Sequence, residues 1–308
     1  MKIFISGSLA YDKIMNFPGY FKDHILPDKI HTLNVSFMVE HLEENFGGTA
    51  GNIAYNLALL GEEPIILSSA GNDFENYKAW LEKYGVDVSQ IKILKDEKTA
   101  FANILTDQAD NQLTAFYPGA MGCDYDSSIV DGELAIIAPG NIKEMQDLPS
   151  RFRDKNIPFI FDPGQQIPML NANNLQNGIK GSKAFISNDY ELSLIMKKTG
   201  WNEKQILNNT EILVTTLGEK GSRIKIKKMS YDIPAAKPKN TSDPTGAGDA
   251  YRAGFIKGLI KKWPLDIVGR FAGVVSCYTV EKYGTQTHKF NFQEAIERYK
   301  ENFGEIKL

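Results

Sequence analysis

Short apolar runs alternate along the chain with longer segments in which apolar residues recur every three or four positions. The runs are typical of buried strands, and the longer spacing is typical of helices with one buried face. The predicted strands are Lys2–Ser6, Glu63–Ser68, Leu134–Ala138, Phe159–Phe161, Ala184–Ile186 and Ile212–Thr215. The predicted helices are Asn52–Leu60, Phe74–Tyr84, Asp189–Lys198, Ala250–Lys262 and Pro264–Lys282. This alternation predicts a three-layer α/β domain with a mainly parallel sheet.

Two stretches interrupt the alternation, at residues 13–46 and at roughly 95–118. Both look rich in strands, for example at Thr32–Phe37 and Ala100–Thr106. Neither is followed by a convincing helix, so the pattern alone predicts strands that lack crossover helices.

Composition narrows the class of protein without assigning a function. The chain has 308 residues, 42% hydrophobic and 24% charged, which suits one large globular domain or one domain with an excursion. A net charge of −3 gives no bias toward nucleic acid or anionic membranes, and the apolar runs are too short to span a bilayer. The N-terminus is expected to form a strand instead of a signal peptide. Cys123 and Cys277 indicate a reducing cytoplasm instead of a disulfide framework.

The segment Asp243-Pro-Thr-Gly-Ala-Gly-Asp249 stands directly before a helical pattern. The free amides of Gly246, Ala247 and Gly248 would point out of that helix N-terminus, where the helix dipole also favours an anion. A phosphoryl group in transfer is the obvious anion, and Asp249 could accept the proton of an attacking hydroxyl. An aspartate at a helix start is more often a cap, so the motif taken alone leaves both roles open.

A second glycine motif, Phe46-Gly-Gly-Thr-Ala-Gly-Asn52, opens another helical pattern upstream. Gly47 and Gly48 permit close approach of a ligand, and Asn52 offers both a donor and an acceptor. Many turns from a strand into a helix are rich in glycine only for packing, and that alternative has even weight here.

The two motifs together resemble those of the ribokinase-like (PfkB) family of sugar and nucleoside kinases, and the resemblance covers essentially the whole chain. Further segments look like family landmarks: Ser8-Leu-Ala-Tyr-Asp12, Tyr117-Pro-Gly-Ala120, Asp162-Pro-Gly-Gln165, Asn188-Asp-Tyr-Glu191 and Thr216-Leu-Gly-Glu-Lys-Gly221. Within the family, the chain is most similar to bacterial adenosine or general nucleoside kinases. Pro244 stands where threonine is common and Tyr251 where phenylalanine is common, and neither departure removes a group that does chemistry.

The resemblance implies a Rossmann-like ribokinase fold with a small β lid over the substrate cleft. Residues 1–12, 47–94 and 119–308 would form the nucleotide-binding and catalytic core, and residues 13–46 and 95–118 would form the lid. Such a lid often carries a dimer contact, so the resemblance allows a homodimer through it.

The resemblance also assigns the acceptor side of the site. The position of Asp12 implies that it binds sugar hydroxyls, since a carboxylate can accept two hydrogen bonds from a vicinal diol. Without the resemblance, a turn-capping role fits this aspartate better. Gly47, Gly48 and Asn52 would be further ribose contacts.

On the donor side, Asn188 and Glu191 match a family element that orders water and Mg²⁺ around nucleotide phosphates. The same spacing fits a capping box at a helix start, and both roles can hold together. Thr216, Gly218 and Gly221 resemble the nucleotide-binding loop, although a hairpin turn explains their spacing equally well. The resemblance allows a monovalent cation, K⁺, at Asp243 near Gly284-Thr-Gln286.

Aromatic residues on or near the expected lid favour a nucleoside over a free sugar, because a base offers a flat apolar face for stacking. These residues are Phe17, Tyr20, Phe21, Phe37, Phe101, Phe116 and Tyr117. Most of them fit a role in the lid's own core equally well or better. Gln165 could contact a base edge or finish a turn.

The sequence contains neither a P-loop nor a dinucleotide-binding glycine motif after the first strand. The resemblance implies an ATP- and Mg²⁺-dependent nucleoside kinase that phosphorylates a ribose 5′-hydroxyl, with adenosine the leading acceptor. The alternatives are a sugar kinase of the same family and a catalytically silent nucleoside-binding relative.

Overall fold

The computed structural model describes residues 2–109, 111–124, 127 and 132–306. The expected core range 119–308 and lid range 95–118 each include positions outside these residues. The strands of the described part are β1 (Ile3–Ser6), β2 (Ala10–Asn16), β3 (His41–Gly47), β4 (Pro64–Leu67), β5 (Ser69–Gly71), β6 (Lys92–Leu94), β7 (Ala100–Thr106), β8 (Gln112–Tyr117), β9 (Leu134–Ile137), β10 (Phe159–Phe161), β11 (Ser182–Asn188), β12 (Thr210–Thr216), β13 (Ser222–Ile226) and β14 (Met229–Ile233).

The main sheet has eight strands in the order β14-β13-β12-β11-β10-β9-β1-β4. Its strands run parallel from β4 to β12, and only β13 and β14 are antiparallel to their neighbours. In the register, Ile5 of β1 lies between Ile66 and Ile136. The sheet therefore places the carboxyl ends of its parallel strands at one edge, where ligands of open α/β folds bind.

Helices cover both faces of this sheet. They are α1 (Thr49–Leu59), α2 (Glu75–Lys83), α3 (Ile142–Asp154), α4 (Ala172–Ile179), α5 (Asp189–Thr199), α6 (Glu203–Asn209), α7 (Ala247–Ile260), α8 (Leu265–Val280) and α9 (Phe292–Phe303). None of the helices in the described ranges has the length and apolarity needed to cross a membrane.

The core divides into two apolar layers because successive strand residues point to opposite faces. On β1, Ile3 and Ile5 pack into the layer that includes residues of α1, α2 and α7, whereas Phe4 packs into the layer that includes residues of α3, α4 and α5. All three side chains are buried. This arrangement confirms the predicted three-layer α/β fold with a mainly parallel sheet.

A second sheet of four strands, in the order β3-β2-β7-β8, is built from the two stretches that interrupt the alternation. The strand predicted at Thr32–Phe37 is wrong: Pro27–Thr32 form a 3₁₀ helix, and no strand follows until His41. The alternation of Leu33, Val35 and Phe37 with polar residues resembles a strand. Phe37 instead packs its ring on Phe17 and Phe21, with centroids 4.9 and 5.2 Å away.

Candidate active site

Helix α7 begins where the Asp243–Asp249 segment predicts a helix N-terminus. Gly246 is its N-cap, with a φ of +78° that disfavours residues with a side chain. The N–H of Ala247 already donates to the carbonyl of Pro244 at 3.2 Å. Within the described residues, the N–H groups of Gly246 and Gly248 have no acceptor. Two of the three expected amides are thus available to an anion.

Asp249 lies in the first turn of α7 and is half-buried. Its Oδ2 accepts a hydrogen bond from Nδ2 of Asn52 at 2.8 Å, which joins the two glycine motifs. Burial raises the pKa of Asp249 to about 6, although Arg252 and the Asn52 hydrogen bond act to lower it. A carboxylate with this pKa is ionised at neutral pH and more basic than an ordinary aspartate, as suits a general base.

A chain of side-chain hydrogen bonds fixes the position of the Asn52 side chain. Nε1 of Trp80 donates to Oε1 of Gln286 at 3.1 Å, and Nε2 of Gln286 donates to Oδ1 of Asn52 at 3.0 Å. The Gln286 amide also donates to the Tyr77 hydroxyl at 2.6 Å, and that hydroxyl donates to the Gly47 carbonyl at 2.8 Å. These contacts fix the Asn52 amide so that its nitrogen faces Asp249.

Asp12 on β2 lies directly against the Gly-Gly motif. A Cβ placed on Gly47, at the end of β3, would stand 2.4 Å from Oδ2 of Asp12, so a side chain there would displace the carboxylate. The next residue, Gly48, has a φ of +87° and begins α1. Burial raises the pKa of Asp12 to about 6, with a further contribution from the charge of Asp243. Asp12 also contributes to the raised pKa of Asp249, so the expected acceptor residues and base share one site.

Two residues without an assigned role complete this site. Arg252, one turn after Asp249 on α7, donates from Nε and from Nη2 to the two oxygens of Asp162, which follows β10. Both residues are buried. Asp162 belongs to a family-like segment, but nothing in the sequence signals its partner 90 residues away.

Asn188 and Glu191 form the capping box that their spacing predicts, at the start of α5. Asn188 N–H donates to Oε2 of Glu191 at 2.8 Å, and Glu191 N–H donates to Oδ1 of Asn188 at 2.7 Å. Burial raises the pKa of Glu191, and the charges of Asp162 and Arg252 also act on it. The capping role therefore places this carboxylate beside the same site.

A cavity of about 290 Å³ also lies at the α7 N-terminus. Its walls include all three residues of the expected nucleotide loop and two of the expected amides: Thr216, Gly218, Gly221, Ala247 and Gly248. The hairpin alternative also holds, because β12 and β13 pair antiparallel through this loop. Tyr251 lines the cavity and its hydroxyl lies 2.8 Å from Oγ of Ser222, so the added hydroxyl of this departure has a partner.

The remaining predicted residues are less closely joined to the site. Asp243 accepts hydrogen bonds from Thr245 N–H at 2.9 Å and from Gly284 N–H at 3.2 Å, which brings its loop to the 284–286 segment. Gln165 is exposed on a 3₁₀ helix (Gly164–Met169), and no hydrogen bond within the described ranges connects it to Asp12 or Asn52.

Five of the seven lid aromatics form two groups of packed rings, and the other two, Tyr20 and Phe116, are exposed. Phe17, Phe21 and Phe37 pack on one another, as the core alternative predicts. Phe101 and Tyr117 face each other across β7 and β8 with centroids 5.2 Å apart, and the Tyr117 side chain is exposed.

The unpaired amides could bind a phosphoryl group, and the raised pKa of Asp249 suits a base that accepts the proton of a hydroxyl. Residues 10–290 match the model of the pfkB family of carbohydrate kinases. The chain belongs to this family, which confirms the resemblance found in its motifs.

Individual relatives agree with the family and the fold. The chain is 30% identical over 308 residues to a nucleoside kinase of Methanothermobacter thermautotrophicus, covering 97% of this chain and 95% of that protein. It is similar to the structure of Burkholderia thailandensis nucleoside kinase in complex with inosine, with a TM-score of 0.86, 35% identity and 98% coverage of each chain. The structure of that enzyme in complex with ADP-inosine gives a TM-score of 0.84 at 36% identity, covering 98% of this chain and 96% of that one. These similarities confirm the predicted ribokinase-like fold.

Proposed function

We propose that the protein is an ATP-dependent nucleoside kinase that phosphorylates the ribose 5′-hydroxyl, with adenosine as its leading acceptor. The observation that carries this proposal is that Asp249 directly follows Gly248, which lines the nucleotide-loop cavity, and that the charge of Asp12 acts on Asp249. The inosine and ADP-inosine complexes of the similar Burkholderia enzyme support a purine nucleoside as acceptor and ATP as donor.

On the acceptor side, Asp12 would accept hydrogen bonds from the ribose diol, while Gly47, Gly48 and Asn52 line the approach of the sugar. The exposed ring of Tyr117 offers a stacking surface for the base, and stacking of this kind contributes about 1–3 kcal/mol. Gln165, exposed on its 3₁₀ helix, would contact an edge of the base. The lid would comprise residues 13–46 and 95–118. Exposed apolar side chains on it, among them Leu42 and Leu113, support a homodimer through this sheet.

On the donor side, the adenine and ribose of ATP would occupy the cavity beside Thr216, Gly218 and Gly221. Glu191 fits a water-mediated Mg²⁺ site, since only its Oε2 is used by the capping box and a carboxylate oxygen suits Mg²⁺. Bound Mg²⁺ would neutralise charge on the phosphates. Asp243 is our candidate ligand for K⁺, because its oxygens lie where two loops meet.

We place the enzyme in the cytoplasm, where the free thiols of Cys123 and Cys277 would stay reduced.

In this mechanism, Asp249 accepts the proton of the 5′-hydroxyl as that oxygen attacks the γ-phosphorus, and the bond to the β–γ bridging oxygen breaks to release ADP. Asn52 holds the carboxylate in orientation through its hydrogen bond. The amides of Gly246 and Gly248 stabilise the charge on the transferring group, and one such donor typically contributes about 10²–10³ in rate. Closure of the lid would exclude water and limit hydrolysis of ATP.

The test is ADP production from MgATP across a panel of nucleosides and sugars, with Asp249→Asn as control. We expect turnover with purine nucleosides and loss of most turnover in the variant, with nucleoside binding retained. Turnover with sugars alone would favour the sugar-kinase alternative. Binding without turnover in the wild type would favour the silent-binder alternative.

A further inference from the structure

Arg252 presents one unpaired nitrogen to the anion site. Its Nε and Nη2 contact the two oxygens of Asp162, Nη2 at 3.0 Å, and this fork-to-fork pair fixes the guanidinium in the interior. Nη1 has no acceptor within the residues that the structure describes. The Arg252 side chain is 10% exposed and Nη1 is not fully buried, so this nitrogen is open to solvent or to an anion at the helix N-terminus.

The unpaired nitrogen lies against Gly248, whose N–H is one of the two available amides. A Cβ placed on Gly248 would stand 2.7 Å from Nη1 of Arg252. Because the ion pair holds the guanidinium, Nη1 cannot easily move aside. The guanidinium of Arg252 therefore restricts the position of Gly248 in the first turn of α7.

The charges around Asp249 are mostly negative. Asp12 on β2 and Asp162 after β10 raise its pKa, and Arg252 on α7 lowers it. Asp249 in turn acts on the Tyr77 hydroxyl of α2, and Glu191 at the start of α5 acts on Arg252. Arg252 is thus the cation that opposes the carboxylates acting on Asp249.

We propose that Arg252 is a positioning residue for phosphoryl transfer, which holds Gly248 in place and provides the positive charge that opposes the carboxylates around Asp249. The proposal rests on the kinase activity proposed above. It predicts an effect on kcat more than on KM, because the arginine supports the groups that act in the transition state.

Two substitutions separate charge from shape. Arg252→Gln removes the charge, and Arg252→Lys keeps it without the fork. We expect kcat to fall about 10²-fold in Arg252→Gln and about 10-fold in Arg252→Lys, since a displacement of about 1 Å can cost about 10²-fold. The acidic limb of the kcat profile should move to higher pH in Arg252→Gln and stay in place in Arg252→Lys.

Lys257→Gln is the matched control. Lys257 lies on the same helix and pairs with Glu62, with side chains 6% and 12% exposed, and neither residue belongs to the site. This variant also loses a buried ion pair, so it should lower stability without moving the pH profile. If Arg252→Gln does not fold, the double variant Arg252→Gln/Asp162→Asn replaces the ion pair by two amides and should still lose turnover.

The outcomes separate this proposal from the proposed function. Wild-type turnover with a nucleoside tests the kinase activity by itself. Given that turnover, a lowered kcat with a shifted acidic limb in Arg252→Gln alone supports the positioning role. The proposal is overturned if the single or the double Arg252 variant keeps the wild-type kcat and pH profile. It is also overturned if the variant matches Lys257→Gln in both measurements, because Arg252 would then only stabilise the fold.

Discussion

The side-chain amide of Asn52 donates to Oδ2 of Asp249 at 2.8 Å, although the two residues lie 197 positions apart in the chain. Each belongs to one of the two glycine motifs, so this single contact joins the start of α1 to the start of α7. It also lowers the pKa of Asp249 against the effect of burial. The orientation of one amide group therefore affects both the position and the basicity of the expected catalytic base.

Gln286 should control that orientation from a distance. In Gln286→Glu, an ionised carboxylate cannot donate to Oδ1 of Asn52, so the asparagine loses the contact that fixes it. We expect kcat to fall about 10-fold, the equivalent of roughly one hydrogen bond. Steady-state kinetics measure this loss, with Gln176→Glu as the control. Gln176 makes a similar hydrogen bond, to the Thr199 carbonyl, in a different part of the fold. An equal loss in both variants would contradict the role of Gln286.

The pH dependence of kcat/KM should reveal two carboxylates. The pKa values of Asp12 and Asp249 are both raised to about 6, and both residues must be ionised in the proposed mechanism. Activity should therefore fall below pH 6, with a limiting slope that approaches two on logarithmic axes. The Asp12→Asn variant should be much less active, and the limiting slope of its pH profile should be near one. A wild-type limb near pH 4, the usual range of aspartate, would refute this prediction.

Asp249→Asn should stabilise the fold while it removes activity. Because the folded pKa of Asp249 is about 6, above its unfolded value, the folded protein binds more protons between these two values and loses stability as the pH rises through them. An asparagine avoids this cost, and we expect a gain of about 1 kcal/mol at pH 7 that vanishes near pH 3. Urea unfolding of both proteins at the two pH values measures the difference. No gain at pH 7 would show that burial of the charge is not costly.

Tyr251→Phe tests the departure from the family pattern. The tyrosine hydroxyl lies 2.8 Å from Oγ of buried Ser222, and it lines the nucleotide-loop cavity. Its removal should cost about 1 kcal/mol of stability and raise KM for ATP a few-fold. A double-mutant cycle with Ser222→Ala, followed by thermal denaturation, isolates the pair. Strict additivity would mean that the hydroxyls do not interact.

Much of the fold could be predicted from the sequence because the parallel strands of the main sheet are mostly buried on both faces. Phe159–Phe161 has the predicted bounds, and Ser182–Asn188 contains the predicted Ala184–Ile186. Parallel strands of this kind form continuous apolar runs that stand out between polar loops. Helix α4, Ala172–Ile179, was not predicted, since its asparagine-rich start resembles a loop until the capping box of Asn171 and Asn174 is seen.

The candidate site was predictable only where its chemistry is local. Asp249 and the amides before it follow one another in the chain, so a motif is enough to locate them. Arg252 has no such signal, since its meaning depends on Asp162 and on the space beside Gly248. Gln286 likewise acquires a role only when the fold brings it to Asn52. The residues that could not be predicted are those whose roles depend on contacts with distant parts of the chain, which no local pattern encodes.

The hydrogen-bond chain that ends at Asp249 begins at the indole of Trp80. Indole fluorescence responds to hydrogen bonding at its nitrogen, so the molecule contains its own optical reporter of the base and its surroundings. The sequence has three tryptophans, and replacing Trp201 and Trp263 by phenylalanine would leave Trp80 as the sole tryptophan, which can be excited selectively over tyrosine. Nucleoside binding could then be followed in real time in unlabelled protein. The signal would come from a ring that is connected to Asn52 through Gln286.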